Sequence, residues 1–222
     1  MTPRIAVLAS GAGTNLQAIL THLATVGSAS AGAVTLVASD RSDAGALALA
    51  GRAGIAVAAI PRANDGDSIV ALLAAHRVDL VVLAGYLQRV PEVVTRSYRG
   101  RMLNVHPALL PAFGGPGMYG MRVHQAVLDA GVKLSGVTVH FVDEEYDHGP
   151  IVAQWPVPVL PMDTARVLAT RVLRAEHRVY PAAVVAVATG RVTLDAQGKV
   201  CGEVGAPLAA PEFRLQTEES KQ

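Results

Sequence analysis

The chain has one cysteine, few aromatic residues and no long apolar run, and each shortage excludes a class of protein. Cys201 is the only cysteine among 222 residues, so no internal disulfide can form and a reducing compartment is the simplest interpretation. Aromatic residues make up 4% of the chain, which argues against an aromatic stacking platform for nucleic acid. No stretch of about 18 unbroken apolar residues could span a bilayer. We therefore expect a cytoplasmic protein.

The charge of the chain is nearly balanced, and its apolar content is high. The 19 basic and 18 acidic residues leave a formal net charge of +1, and no long basic run occurs. These features predict a protein that binds neither nucleic acid nor membranes. Hydrophobic residues form 51% of the sequence, and this length supports one good-sized core. We expect a single domain over residues 1–208, followed by a flexible tail at 209–222.

Strand-like and helix-like segments alternate through the first half of the chain, about residues 1–110. The expected strands are 5–9, 34–38, 55–60, 80–83 and 101–105, and the expected helices between them are 15–26, 44–53, 68–76 and 92–98. Alternation at this spacing predicts a doubly wound α/β fold with a mostly parallel sheet and right-handed crossovers.

The second half, about residues 111–208, has a different pattern. A glycine-rich loop at 113–120 precedes a helix at 122–130, a half-buried strand at 135–142 and a second strand at 151–158 that could pair with it. A long helix is expected over 164–188, and Pro181 should end or kink it. Segments 192–194 and 199–203 predict a small hairpin. The second half therefore adds antiparallel strands to the sheet.

A glycine turn, Ser10-Gly11-Ala12-Gly13-Thr14-Asn15, lies between the first strand and the first helix. Glycines allow an anion to approach the backbone, and the helix start supplies free N–H groups and a positive dipole end. This predicts a phosphate site, with an ordinary glycine turn capped by Thr14 or Asn15 as the alternative. No lysine follows the glycines as in a Walker motif, and Leu16 stands where a dinucleotide fingerprint has its third glycine.

Asn104 and His106 stand two residues apart at the end of an expected strand, which Pro107 terminates. Residues at this spacing on a strand share one face, and ligands of open α/β sheets bind at the carboxyl ends of strands. An amide beside an imidazole suits a reaction in which a carbonyl oxygen becomes an oxyanion and a proton moves. The alternative is a surface histidine beside an asparagine that satisfies a turn.

Several titratable residues crowd the loop 143–150 between the two later strands. One of its carboxylates could orient His106 and raise the pKa of that imidazole by stabilising the imidazolium. A solvated acidic turn is the alternative, and the ligand set is too unspecific to predict a metal. The cluster at 174–177 is interpreted as an exposed helical charge group. His22, His76 and His124 show no partner pattern and are interpreted as surface or core-filling residues.

Six segments, taken together and in order, resemble the glycinamide ribonucleotide formyltransferases, a family of folate-dependent formyltransferases. The quoted segments are 10–15 (SGAGTN), 82–86 (VLAGY), 103–111 (LNVHPALLP), 136–142 (GVTVHFV), 147–151 (DHGPI) and 176–181 (EHRVYP). The resemblance covers roughly residues 4–195 and implies the Rossmann-like formyltransferase fold.

The resemblance also implies an activity: transfer of the formyl group of 10-formyltetrahydrofolate to the amine of glycinamide ribonucleotide in purine synthesis. The family assigns catalysis to Asn104 and His106, with Asp147 holding and charge-tuning His106. By the same analogy, the substrate is bound by Gly13, Thr14, Asn15 and Glu176. The co-substrate folate is bound by Leu87, Gln88, Arg89, Val90, Asn104, Asp143, Glu144, Glu145, Tyr146 and Asp147. The protein would be a monomer or homodimer without a metal.

Three alternatives remain open at this point. Relatives with the same catalytic domain hydrolyse formyltetrahydrofolate or formylate initiator methionyl-tRNA, but these would carry an extra N-terminal or a basic C-terminal domain that we do not expect here. A nucleotide-binding module or dehydrogenase is disfavoured by Leu16. The chain departs from many members at Leu87-Gln88, where they have Met-Arg, and Arg62 is the candidate for a family arginine near the folate.

Overall fold

A computed structural model describes residues 2–27, 31–60 and 65–205. Its first half contains five strands, β1 (Arg4–Leu8), β2 (Ala33–Ser39), β3 (Ala56–Ala59), β4 (Leu80–Leu83) and β5 (Met102–His106). Four helices in the described part of this half are α1 (Thr14–Val26), α2 (Gly45–Arg52), α3 (Gly66–Ala75) and α4 (Glu92–Ser97). The second half contains α5 (Met121–Asp129), β6 (Leu134–Phe141), β7 (Ile151–Pro158), α6 (Ala165–Ala188), β8 (Val192–Leu194) and β9 (Val200–Gly202).

One seven-stranded sheet organises the molecule, in the order β3-β2-β1-β4-β5-β6-β7. The strands from β3 to β5 are parallel, whereas β6 and β7 add to the β5 edge in antiparallel pairing. The strand order reverses between β1 and β4, and the crevice at such a switch point is where open α/β sheets bind ligands. The prediction of a doubly wound sheet with later antiparallel strands is confirmed, and β8 and β9 form the predicted hairpin.

The hydrophobic core lies on both faces of this sheet. All four residues of β4 are buried, as expected of a parallel strand that helices cover on both sides. One cluster joins Ile5, Leu16, Val139 and Tyr180. A second cluster packs Leu8 and its neighbours against the opposite helices. The central strands are therefore rigid supports for the loops at their carboxyl ends.

The prediction that β6 is half-buried is wrong, because both of its faces are covered. Thr138 and His140, on the face expected to be exposed, are 0% and 2% exposed. The Thr138 hydroxyl donates a 2.7 Å hydrogen bond to the carbonyl of Ala108 and accepts a 3.0 Å bond from the N–H of Leu110. The segment that follows β5 thus folds back over β6 and buries its polar side chains with satisfied hydrogen bonds.

Pro181 does not end the long helix, since α6 continues without interruption to Ala188. A proline inside a helix removes one hydrogen bond and crowds the preceding turn. Here Tyr180, Ala183 and Val184 are fully buried around it. The packing of this turn therefore outweighs the local preference of the proline. The predicted tail at 209–222 and Arg62 lie outside the described residues.

In the ranges 2–27, 31–60 and 65–205, no helix combines the length and the apolar character needed to cross a membrane.

Candidate active site

A cavity of about 560 Å³ opens at the carboxyl ends of β4 and β5. Its walls come from the start of α1, the segment after β4, the end of β5, the glycine-rich loop with α5, the loop between β6 and β7, and α6. The predicted site residues that line it are Asn15, Leu87, Gln88, Arg89, Val90, Asn104, His106, Asp143, Glu144, Glu145, Tyr146, Asp147 and Glu176. Elements far apart in sequence therefore converge on one site.

Asn104 points into this cavity and is held by a histidine of the neighbouring strand. The two residues are partners in the pairing of β5 with β6, and the Asn104 side-chain nitrogen lies 3.1 Å from Nε2 of His140. Nδ1 of His140 lies 2.8 Å from the carbonyl of Phe141, which can only accept. Nδ1 of His140 therefore carries a proton, and Nε2 is the atom that accepts from the Asn104 amide. The second amide hydrogen of Asn104 is left for another acceptor.

His106 is 3% exposed, and both of its ring nitrogens face specific partners. Nε2 lies 2.8 Å from the carbonyl of Phe113, so this nitrogen donates. Nδ1 lies 3.4 Å from Oδ2 of Asp147. Phe113 and Asp147 both have left-handed backbone, with φ of 58° and 54°. Such strain in non-glycine residues is often found at functional sites.

Burial lowers the pKa of His106 below the ordinary histidine value. The charge of Asp147 and the Phe113 carbonyl act in the opposite direction but are outweighed. The expectation that a carboxylate raises this pKa is therefore wrong in its net direction, because water is excluded from the imidazole. The resting imidazole is neutral near pH 7, with a lone pair on Nδ1.

Asp147 is held as a carboxylate at the base of the site. Burial alone would raise its pKa, but contact with His140, the charge of His106 and the N–H of Gly115 together lower it below the usual range. Gly115 donates a 2.9 Å hydrogen bond to Oδ2, and Nε2 of His140 lies 3.7 Å from Oδ1. The hydrogen bond from the glycine-rich loop thus fixes the carboxylate beside His106.

Glu176 is buried, so the interpretation of the 174–177 cluster as an exposed charge group is wrong for this residue. It is 8% exposed and accepts a 2.8 Å hydrogen bond from the amide of Asn15. Burial raises the pKa of Glu176, and the Asn15 hydrogen bond opposes this only in part. The side-chain oxygen of Asn15 is itself buried without a hydrogen-bond partner in the described structure. These two groups link α1 to α6 at the cavity wall.

Gly13 and Thr14 do not line the large cavity. Gly13 is the N-cap of α1 with φ of 84°, and a Cβ there would come within 2.9 Å of the Ala46 backbone. Thr14 instead borders a smaller depression of about 460 Å³ together with His22 and His177. Neither Thr14 nor Asn15 caps the helix, because no side-chain hydrogen bond is made at its N-cap. The first-turn N–H groups are thus left without a side-chain cap.

Two segments that line the cavity contact each other. They are the segment 87–90 after β4 and the segment 143–146 after β6. The Arg89 guanidinium donates a 3.0 Å hydrogen bond to the carbonyl of Glu144 and closes the gap between them. Within the acidic loop, Asp143 lies 2.8 Å from Nδ1 of His148 and raises the pKa of that histidine.

Sequence reasoning assigned no role to several side chains that line the cavity, including His140, Tyr86 and His124. His140 and Tyr86 belong to the quoted motifs, but no role was predicted for them. His124 was interpreted as filling, yet it is 5% exposed and lines the cavity, and its Nδ1 has no hydrogen-bond partner in the described structure. One signal was available for His124: it lies beside Val123 and near Val127 on the buried side of α5.

A metal would need several ligands in one place. Across residues 2–27, 31–60 and 65–205, no three His, Cys, Asp or Glu side chains are grouped so that they could hold an ion. The absence of a metal remains a prediction.

Comparison with known proteins places the chain in a family. The sequence profile described as formyl transferase matches residues 3–184. The chain belongs to the formyl transferase family. The resemblance carried by the six segments is therefore confirmed at the level of the family, and so is the fold class.

Relatives within the formyl transferase family are similar over most of this chain. A chloroplastic phosphoribosylglycinamide formyltransferase of Vigna unguiculata is 43% identical over 195 residues, which are 85% of this chain and 62% of that protein. The chain thus spans less than two thirds of this relative. The phosphoribosylglycinamide formyltransferase of Haemophilus influenzae is 36% identical over 86% of this chain and 90% of its own length.

One solved structure is similar to this chain in both sequence and fold. Glycinamide ribonucleotide transformylase 1 from Symbiobacterium toebii has a TM-score of 0.82 and 41% identity, covering 91% of this chain and 94% of that one.

Proposed function

We propose that this protein transfers the formyl group of 10-formyltetrahydrofolate to the amine of glycinamide ribonucleotide, a step of purine synthesis. The observation that carries the proposal is the convergence of Asn104, His106 and Asp147 in one cavity, with Nδ1 of His106 3.4 Å from Asp147. The names of the relatives support the same reaction. In this reaction a C–N bond forms at the amine, the formyl bond to the folate nitrogen breaks, a proton leaves the amine, and the departing folate nitrogen takes up a proton.

Asn104 is the proposed donor to the oxygen of the formyl group. When the amine attacks the formyl carbon, this oxygen gains negative charge and needs a preorganised donor. One amide hydrogen of Asn104 is occupied by His140 at 3.1 Å, which fixes the amide and leaves its second hydrogen available. Loss of one such donor typically costs about 100- to 1,000-fold in rate.

His106 is the proposed acceptor of the amine proton, and Asp147 is its positioning partner. In the neutral imidazole Nδ1 is the nitrogen that carries no proton, since Nε2 donates to the carbonyl of Phe113. A proton that arrives at Nδ1 meets the Asp147 carboxylate 3.4 Å away. The imidazolium formed during the reaction is therefore stabilised electrostatically, and Phe113 holds the ring in orientation.

Glu176 and the start of α1 are proposed to bind the two ends of the ribonucleotide. The buried carboxylate of Glu176 suits the amine end, with Asn15 fixing it through a 2.8 Å hydrogen bond. Gly13, Thr14 and Asn15 would bind the phosphate through the uncapped first turn of α1, whose N–H groups and dipole favour an anion.

The formyl donor is assigned to the walls formed by the segments 87–90 and 143–147, with Asn104 at their base. A cavity of about 560 Å³ lies within the usual range for small-molecule sites. The acceptors and N–H groups of these loops could bind the polar edge of a folate ring. We further propose that the protein works in the cytoplasm as a monomer or homodimer and binds neither nucleic acid nor membranes.

The test mixes purified protein with 10-formyltetrahydrofolate and follows folate absorbance with and without glycinamide ribonucleotide. We expect turnover only when the ribonucleotide is present, and a loss of about 100-fold or more in kcat for the N104A variant. Turnover that does not depend on the ribonucleotide would instead identify a formyltetrahydrofolate hydrolase. No turnover under either condition would refute both activities.

A further inference from the structure

A buried serine hydroxyl lies beneath the segment that follows β4. Ser10, at the end of β1, is 4% exposed. Its N–H donates a 3.1 Å hydrogen bond to the carbonyl of Gly85, and its Oγ accepts a 3.0 Å bond from the N–H of Leu87. Ser10 thus holds two points of the turn that begins the wall on the folate side of the cavity.

Asp40, which follows β2, determines how this hydroxyl is oriented. The Ser10 hydroxyl donates a 2.6 Å hydrogen bond to Oδ1 of Asp40. A serine hydroxyl has one hydrogen, so its donation to a carboxylate leaves the lone pairs of Oγ free for the N–H of Leu87. A carboxylate can only accept, which makes this orientation the stable one.

The second oxygen of Asp40 reaches the cavity wall directly. Oδ2 accepts a 3.2 Å hydrogen bond from the side-chain amide of Gln88, which lines the cavity. One carboxylate therefore holds two successive residues of the wall, Leu87 through Ser10 and Gln88 by itself. Asp40 does not line the cavity and cannot act on a reacting atom.

We propose that Asp40 is a positioning residue for the formyl donor, which it serves by fixing the wall at residues 85–88 through Ser10 and Gln88. This inference rests on the proposed function. It predicts a change in the KM for the formyl donor rather than in the KM for the ribonucleotide. Ser10 keeps its backbone hydrogen bond to Gly85 when the Asp40 carboxylate is removed, so the end of β1 stays in place. The β1 end is also held by the 3.1 Å bond from the N–H of Ala9 to Ala38.

The experiment measures KM for each substrate separately in the wild type and in D40A. We expect KM for 10-formyltetrahydrofolate to rise about tenfold, because a factor of that size corresponds to the free energy of roughly one charge-assisted hydrogen bond. KM for the ribonucleotide and kcat should stay within about twofold. D40N carries the same test if D40A does not fold, because it removes the charge and leaves an acceptor oxygen at only one of the two positions that face Ser10 and Gln88.

Asp43→Ala is the matched control, since Asp43 is an exposed carboxylate close in sequence whose partner is Arg41 at 3.1 Å. We expect it to leave both KM values unchanged. Equal changes in both KM values, or an unchanged donor KM in D40A and D40N, would overturn the role of Asp40 while the wild type still turns over. Failure of the wild type itself to transfer formyl would refute the proposed function instead.

Discussion

The charge state of His106 depends on two opposing effects that sequence alone cannot weigh. The motif indicates that an imidazole stands beside an amide, and the acidic loop supplies a carboxylate. Whether the carboxylate or the loss of water dominates depends on how deeply the ring is buried, and here burial lowers the pKa of His106. The ring is also held by the carbonyl of Phe113, which belongs to a glycine-rich segment without regular periodicity.

We expect kcat/KM to fall on the acid side with a midpoint below the ordinary histidine pKa of about 6.5. The proposed proton acceptor is neutral His106, so activity is present above its lowered pKa and is lost as pH falls through it. Asp147→Asn removes the charge that favours the imidazolium, so the midpoint should move to still lower pH. The maximal rate should fall by about 100-fold or more. A pH series of initial rates for both proteins measures this.

Asp129→Asn is a suitable control for the Asp147 variant, because Asp129 is exposed and contacts Gln125 on the outside of α5. Its profile should overlay that of the wild type. A midpoint that rises in Asp147→Asn would contradict the proposed pairing. An equal loss of activity and of unfolding free energy would make Asp147 a structural residue.

At the scale of helices and strands, alternation of apolar segments predicts most of the described fold. The strand at Leu80–Leu83 coincides with its prediction, because four consecutive apolar residues fit a strand buried on both sides. The burial of both faces of β6 could not be predicted, since Thr138 and His140 are polar residues and their alternation with apolar ones indicates an exposed face. Their partners, at Ala108 and Asn104, come from another strand and its loop, and only the register of β5 against β6 brings them together.

Tyr180 shows how a helix can fix the strand ends that carry the site. Its ring is fully buried on α6, and its hydroxyl lies 2.9 Å from the carbonyl of Leu83 and 3.1 Å from that of Leu103. The Leu83 carbonyl stands at the end of β4, and the Leu103 carbonyl lies within β5, next to Asn104. Burial raises the pKa of Tyr180 well above its usual value, so this hydroxyl stays protonated and donates.

Tyr180→Phe should lower the unfolding free energy by about 1–2 kcal/mol, because the two buried carbonyls lose the single O–H hydrogen that they share. Urea unfolding followed by circular dichroism measures the change. Tyr98→Phe is the matched control, since its buried hydroxyl lies 3.5 Å from the carbonyl of Val78 and makes at most a weak hydrogen bond. If Tyr180→Phe lowers the unfolding free energy no more than Tyr98→Phe does, the proposed link of β4 to β5 through the Tyr180 hydroxyl is contradicted.

At the scale of the whole molecule, the two halves suggested by the sequence share one helix. α6 packs against α1 and β5 of the first half and against α5, β6 and β7 of the second. One apolar cluster likewise joins Leu16 of α1, Val139 of β6 and Tyr180 of α6. The change of pattern near residue 110 marks where antiparallel strands begin, but it cannot reveal that a helix beyond residue 164 closes the core of both halves.

Because of this shared core, we expect residues 1–208 to unfold as one unit. Trp155, the only tryptophan, lies on β7 in the second half and packs against the cluster that contains Leu16. In urea, its fluorescence and the helical circular dichroism signal should give one midpoint. Leu16→Ala, a change in the first half at a 0% exposed position, should lower both midpoints together by removing about 2–5 kcal/mol of stability. If the halves were independent, this variant would leave the Trp155 midpoint unchanged, because the leucine would then stabilise only the part of the chain that contains no tryptophan.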